Sequence, residues 1–398
     1  VVGAAVIVET MVFPQSVPAI PSNSIGAGLR PVIARTTRAS RVREAPGGLR
    51  LARGVLWLPE ATAPAWQHRY TLSLARTEAA RLTHAPSAVL THASAALRLG
   101  LPMSTRQPDV YIAVAYAPAA SGTALPLIRI PARGRPTSAR RPAPDAPAVR
   151  LWRRKAVFDA DDVVVADGAL VTSLLRTAFD CACDEPAHNA LVIADAALRL
   201  FTGAARAHPE EALRRAEPGR EAWRHMLEHA GRRKGIATAR AVLAMASPLS
   251  ESQLESTIRW LIGWLGLPPP VLQYRIDTRS GSYWVDLCWP DPRLIIEIDG
   301  RGKYDEPASF WRESDRQEDI SGQRWTVRRI RSDQLHDLAS LAARILSWFP
   351  PVVVAAARRR PELATPGWEP AHGLRRGSLL AGRRGPVAGD DAEWSAGL

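Results

Sequence analysis

Four acidic side chains sit where an isolated charge is costly. The apolar run Leu294-Ile295-Ile296 ends in Glu297 and Asp299, Asp286 interrupts the apolar segment before it, and Glu255 lies upstream in a stretch of helical period. A carboxylate in apolar surroundings destabilises a fold unless a cation neutralises it. The simplest neutralising group for several oxygens is a divalent metal ion. The competing reading makes the same acids caps of strand ends or residues of an exposed sheet edge.

The elements that must position them are legible around these acids. Leu254, Ile258, Leu261, Ile262 and Leu265 mark one face of a helix over 251–265, which starts at capping residues and stops at Gly266 before Pro268. Strands follow at 271–277, 282–288 and 293–298, with a turn at 279–282. A polar helix over 307–320, a strand over 325–330 and a helix over 334–348 complete an α-β-β-β-α-β-α order.

This order, with its acids at those places, resembles the PD-(D/E)XK nuclease superfamily, and more narrowly its very-short-patch-repair and MutH-like endonucleases, including an uncharacterised branch. The resemblance rests on Glu255-Ser256-x-x-Arg259, Val285-Asp286, Trp289-Pro290, Glu297 to Arg301, Lys303-Tyr304, and Arg316 nine residues before Trp325. It covers 250–349. It implies a restriction-endonuclease-like domain, DNA as partner, Mg2+ or Mn2+ as cofactor, and hydrolysis of phosphodiester bonds. Metal-bound carboxylates supply a nucleophilic water and a counter-charge for such chemistry. Glu255, Asp286 and Glu297 are the implied metal ligands. The superfamily often carries Lys where this chain has Asp299, so the basic group falls to Lys303 or Arg316. Arg316 would act only electrostatically, because an Arg pKa exceeds ~12. Arg259, Arg301 and Arg328 are the implied DNA contacts of this domain.

Charge divides the chain. Residues 1–249 carry 32 basic and 19 acidic side chains, whereas 250–349 carry 13 and 15. A basic first half suits nucleic-acid binding; a GC-rich coding sequence is the alternative source, since only Lys155, Lys234 and Lys303 of the 52 basic residues are Lys. Residues 49–59 alternate like a half-exposed hairpin, and a helix is expected at 65–83. Arg50, Arg53, Gly54 and Val55, then His92, Ser94, Ala95 and Ala96, resemble the wing and following helix of the abortive-infection AbiEi antitoxin family. The segment 163–180 resembles the same family. That resemblance implies a winged helix touching DNA through Arg50 and Arg53, and a cognate toxin of a type IV toxin–antitoxin system as a second partner. Arg176 and Asp180, four apart on a helix, are expected to form a structural ion pair. His92, between apolar residues, is expected to be packed and hydrogen-bonded.

The expected architecture is α+β: residues 1–45 disordered or a misannotated start, 46–105 a degenerate winged-helix-like segment, 106–249 an antitoxin-like α/β region, 250–349 the nuclease-type domain and 350–398 a disordered basic tail. Three cysteines make no disulfide framework and suit a reducing cytosol. No stretch approaches ~20 consecutive apolar residues, so no membrane partner is expected and a cytoplasmic location is. Two functions stand: a metal-dependent endonuclease, and a non-catalytic antitoxin-like repressor with a degenerate nuclease fold.

Overall fold

A computed structural model describes residues 29–35, 47–205, 208–278, 281–299 and 323–365. The chain is α+β, with helices packed against several sheets. The expected helix over 307–320, with Arg301, Lys303 and Arg316, lies outside the described residues.

Strands β1 (Val32–Arg35), β2 (Leu49–Ala52) and β3 (Val55–Leu58) form an antiparallel sheet in the order β1-β3-β2. Gly54 makes the hairpin turn at φ 74°, a left-handed backbone that only glycine adopts without cost. The sheet buries Leu51, Val55 and Trp57 against helix α1 (Ala65–Leu82). The strand at 32–35 corrects the expectation that residues 1–45 hold no structure. Its ladder to β3 pairs Val32 with Leu58 and Arg35 with Val55, and Ile33 packs on the same cluster. Four residues are too few for a periodicity signal; the partner strand decides them.

Next come β4 (Val89–Leu90), α2 (His92–Arg98), β5 (Val110–Val114), β6 (Gly122–Ala124), β7 (Ile128–Arg129), β8 (Thr137–Ser138), β9 (Arg150–Lys155), β10 (Val163–Ala166) and β11 (Ala169–Thr172). Six of them build a mixed sheet, β10-β11-β4-β5-β9-β6. Helices α3 (Leu174–Asp184), α4 (Ala187–Thr202), α5 (Pro209–His229) and α6 (Ile236–Met245) pack beside it. As expected, Arg176 meets Asp180 (Nε to Oδ2, 3.2 Å), and it also meets Asp162.

The last part runs α7 (Gln253–Leu265), β12 (Val271–Thr278), β13 (Gly281–Trp289), β14 (Leu294–Asp299), β15 (Thr326–Arg331), α8 (Leu338–Ser347) and α9 (Pro351–Ala356). Its sheet order is β12-β13-β14-β15, antiparallel up to β14 and parallel between β14 and β15. One face joins the main core through Leu287, Leu294, Ile296 and Ile330; the other holds Val285, Cys288 and Ile295.

Two expected boundaries are corrected. The main core is continuous from Leu90 through Leu198 and Ile258 to Ile345, so no bare linker separates the halves at 249/250. The basic tail is also not uniformly unstructured. Leu363 is fully buried, its carbonyl accepts from Trp260 Nε1 at 2.9 Å, and the Arg360 N–H donates to the Trp264 carbonyl at 3.0 Å. Gly266, at φ 75°, lies so close to the Arg358 carbonyl that a Cβ would sit 1.9 Å from it. The apolar stripe of α7 is wider than one neighbour covers, and 350–365 close it.

Candidate metal and phosphodiester site

Helix α7 begins at Ser252, whose Oγ accepts from the Glu255 N–H at 3.1 Å and donates to Glu255 Oε1 at 3.0 Å. The Glu251 N–H donates to Glu255 Oε2 at 2.9 Å. Ser252 thus caps the helix, and the bonds that Glu255 accepts from the cap hydroxyl and from the preceding N–H give it a structural task. They do not explain its burial. Glu255 is 6% exposed, and among the described residues no Lys, Arg or His pairs with it. Burial, followed by the charge of Asp286, pushes its pKa up to about 8. Two buried acids thus lie near enough for the charge of one to act on the other.

Asp286 lies on β13 just beyond the last ladder pair, Leu287 with Ile296. Its Oδ2 accepts from the Ile298 N–H at 2.9 Å, so a carboxylate replaces a ladder contact and ties β13 to β14. Asp286 and Glu297 are both buried. In the parallel register Glu297 stands beside Arg329 and Asp299 beside Arg331, and Arg329 Nη1 approaches Asp299 Oδ2 at 3.7 Å. A guanidinium therefore stands next to Asp299. Arg328, expected as a DNA contact, is exposed on β15, in register with Ile296.

The donor set suits a hard divalent ion: oxygen ligands only, buried, with no cation on Glu255 among the described residues. Among the described residues, no three His, Cys, Asp or Glu side chains are already gathered into a metal-holding group. Asp286 and Glu255 are the neighbouring pair, with Glu297 on the adjacent strand.

Arg259 departs most from its expected role as a DNA contact. Its side chain is 8% exposed and pairs with Asp195 on α4, while Nη2 donates to the Met245 carbonyl. Asp195 also accepts from the Ser247 N–H and from Ser256 Oγ, both at 2.7 Å. Arg259 fastens α7 to α4, its guanidinium engaged by these buried acceptors. Arg50 and Arg53, by contrast, are exposed on the β2–β3 hairpin.

His92 is packed, as expected. It is 4% exposed, its ring stacks on Tyr111 at 4.6 Å, and Nε2 meets Asp184 Oδ2 at 2.8 Å. Arg154 and Arg233 reach the same oxygen at 2.7 and 2.8 Å. Burial alone would raise the Asp184 pKa; the hydrogen bonds from His92 and Arg154 outweigh it and hold the carboxyl well below the usual range.

Sequence reasoning missed Gln273, Arg329 and Asp195. Gln273 carried a weak signal, an amide inside an apolar strand; Asp195 and Arg329 carried none, because their partners are distant in sequence or on a neighbouring strand.

No family model matches the chain, and no solved structure does. Two uncharacterised Mycobacterium tuberculosis proteins, from strains CDC 1551 / Oshkosh and ATCC 25618 / H37Rv, are each similar to it. Each is 35% identical over 180 residues, 45% of this chain and 61% of the relative. The chain thus spans less than two thirds of the length of these relatives.

Proposed function

We propose that the protein is a metal-dependent DNA endonuclease whose 250–349 region has a restriction-endonuclease-like arrangement. The observation that carries this reading is the buried pair of Glu255, which meets no cation among the described residues, and Asp286, tied to the Ile298 N–H. The order α7-β12-β13-β14 followed by a parallel β15 and α8 supports it. Glu255, Asp286 and Glu297 would hold Mg2+ or Mn2+, which when bound supplies positive charge to phosphate oxygens and makes water a nucleophile at neutral pH.

The chain's own residues orient and balance charge. The Ile298 N–H fixes Asp286, and the Glu251 N–H with the Ser252 hydroxyl fixes Glu255, so neither carboxylate must reorganise. Arg329 offsets Asp299 and contributes positive charge beside Glu297. Arg50 and Arg53 hold the DNA backbone from the hairpin, where phosphate contacts position the duplex without reading sequence.

The test is nicking of supercoiled plasmid by the full chain in Mg2+ or Mn2+. Asp286→Ala and Glu297→Ala are each expected to cut the rate at least about a hundredfold, roughly 3 kcal/mol of transition-state stabilisation. Activity surviving both substitutions defeats the mechanism.

A second reading, an antitoxin-like repressor with a degenerate nuclease fold and a cognate toxin as partner, is favoured by the exposed Arg50 and Arg53 and by Asp299 at the Lys position. It predicts a gel shift lost in Arg50→Ala/Arg53→Ala and no cleavage in either metal.

A further inference from the structure

Strand β12 breaks its own regularity at Gln273. Its backbone is left-handed (φ 48°), which a non-glycine residue adopts only at a cost. Residues two apart on a strand share a face, yet Leu272 packs in the main core and Tyr274 against the small cluster on the other face. The facing strand does the same, with Leu287 in the main core and Val285 in the small cluster. The register pairs Leu272 with Leu287 and Tyr274 with Val285, which sets Gln273 opposite Asp286. Both strands therefore change face at the level of the candidate site.

The Gln273 side chain makes this costlier. The residue is 3% exposed, and neither Oε1 nor Nε2 has a hydrogen-bond partner among the described residues. A buried amide with both ends unsatisfied forfeits its hydration for nothing, and an apolar side chain of similar volume would suit the same space better. Strain and an unsatisfied amide at one position, beside Asp286, point to a group kept for a ligand.

We propose that the Gln273 amide binds the scissile region of DNA, donating from Nε2 to a non-bridging phosphodiester oxygen while Oε1 accepts from a water beside it. This rests on the nuclease reading. A neutral donor is the fitting choice: a carboxylate here would repel the phosphate and crowd a site already holding Asp286 and Glu255, and an apolar residue could not bind it.

The experiment compares full-length wild type, Gln273→Met and Gln273→Glu by thermal melting, by anisotropy of a fluorescein-labelled duplex in Ca2+, and by plasmid nicking in Mg2+. Gln273→Met is expected to melt at or above the wild-type temperature while duplex affinity and kcat/KM each fall about tenfold, the loss of a hydrogen bond to a charged group. Gln273→Glu is expected to weaken duplex binding further; if Gln273→Met does not fold, it decides the matter alone. A Gln273→Met protein that melts lower with unchanged affinity and rate marks an amide satisfied by structural water and overturns the assignment, as does unchanged binding in Gln273→Glu. In both cases wild-type nicking persists and the nuclease reading stands. Wild type that neither binds duplex nor nicks in Mg2+ overturns both.

Discussion

Glu255 shows how one side chain holds a structural and a chemical assignment together. The capping contacts use both of its oxygens, yet burial and Asp286 raise its pKa from 4.5 to about 8. A carboxyl raised in the folded state binds its proton where the unfolded chain has released it. Stability is therefore full below about pH 4.5 and is lost as pH climbs towards about 8. The effect is on the order of a few kcal/mol. Urea unfolding at pH 5 and pH 8 is expected to show this loss in wild type and a much flatter dependence in Glu255→Gln. Mg2+ at pH 8 is expected to restore wild type, since binding displaces the proton, and to do little for the variant. Parallel pH dependences in the two proteins would count against the assignment.

At the scale of elements, α7 joins the candidate site to the first half. Its first turn carries the buried Glu255, and one residue later Ser256 bonds Asp195, which also takes Arg259 and the Ser247 N–H. Arg199 on the same α4 meets Glu251 at 3.2 Å, the residue whose N–H holds Glu255. The site is thus built on both halves. Removing one member of a buried pair leaves the other charge stranded, so Arg259→Leu is expected to cost about 3–5 kcal/mol, read by denaturant midpoint. Replacing both Arg259 and Asp195 by Leu is expected to cost less than the single change predicts. If Arg259 instead contacted DNA, Arg259→Leu would lose duplex affinity at an unchanged midpoint. The sequence word Glu255-Ser256-x-x-Arg259 makes Arg259 conspicuous, but helical period cannot say whether a charged position meets solvent or a buried acid sixty-four residues away.

For the molecule as a whole, the continuous core argues against separable domains. Ile258, Trp260, Leu261 and Trp264 of α7 are all buried in a core shared with Leu191, Leu198 and Val242. A fragment starting at 250 would expose that face, and apolar exposure of this size is destabilising at roughly 25 cal/mol per Å2. Expressed alone, 250–398 is expected to melt without a cooperative transition and to be cut rapidly by trypsin, whereas the full chain unfolds cooperatively. A stable, cooperatively melting fragment would restore the domain boundary at 249/250. Among the described residues no helix is long and apolar enough to cross a membrane.

What the sequence determined by itself is local. The hairpin at Arg50 to Trp57, the helix ending at Gly266 and the strands at β12, β13 and β14 follow from periodicity and turn residues, because those signals depend on neighbours a few residues apart. The acids Glu255, Asp286 and Glu297 stood out because charge in an apolar run is visible in one dimension. The tertiary structure decided which charges meet. Arg259 finds Asp195, Arg329 finds Asp299, residues 350–365 close the stripe of α7, and Val32–Arg35 becomes a strand only because β3 offers it a ladder. Gln273 is the sharpest case: the sequence offers only an amide inside an apolar strand, and its place opposite Asp286, its strained backbone and its unsatisfied burial single it out. Pairing and burial are properties of distant segments brought together.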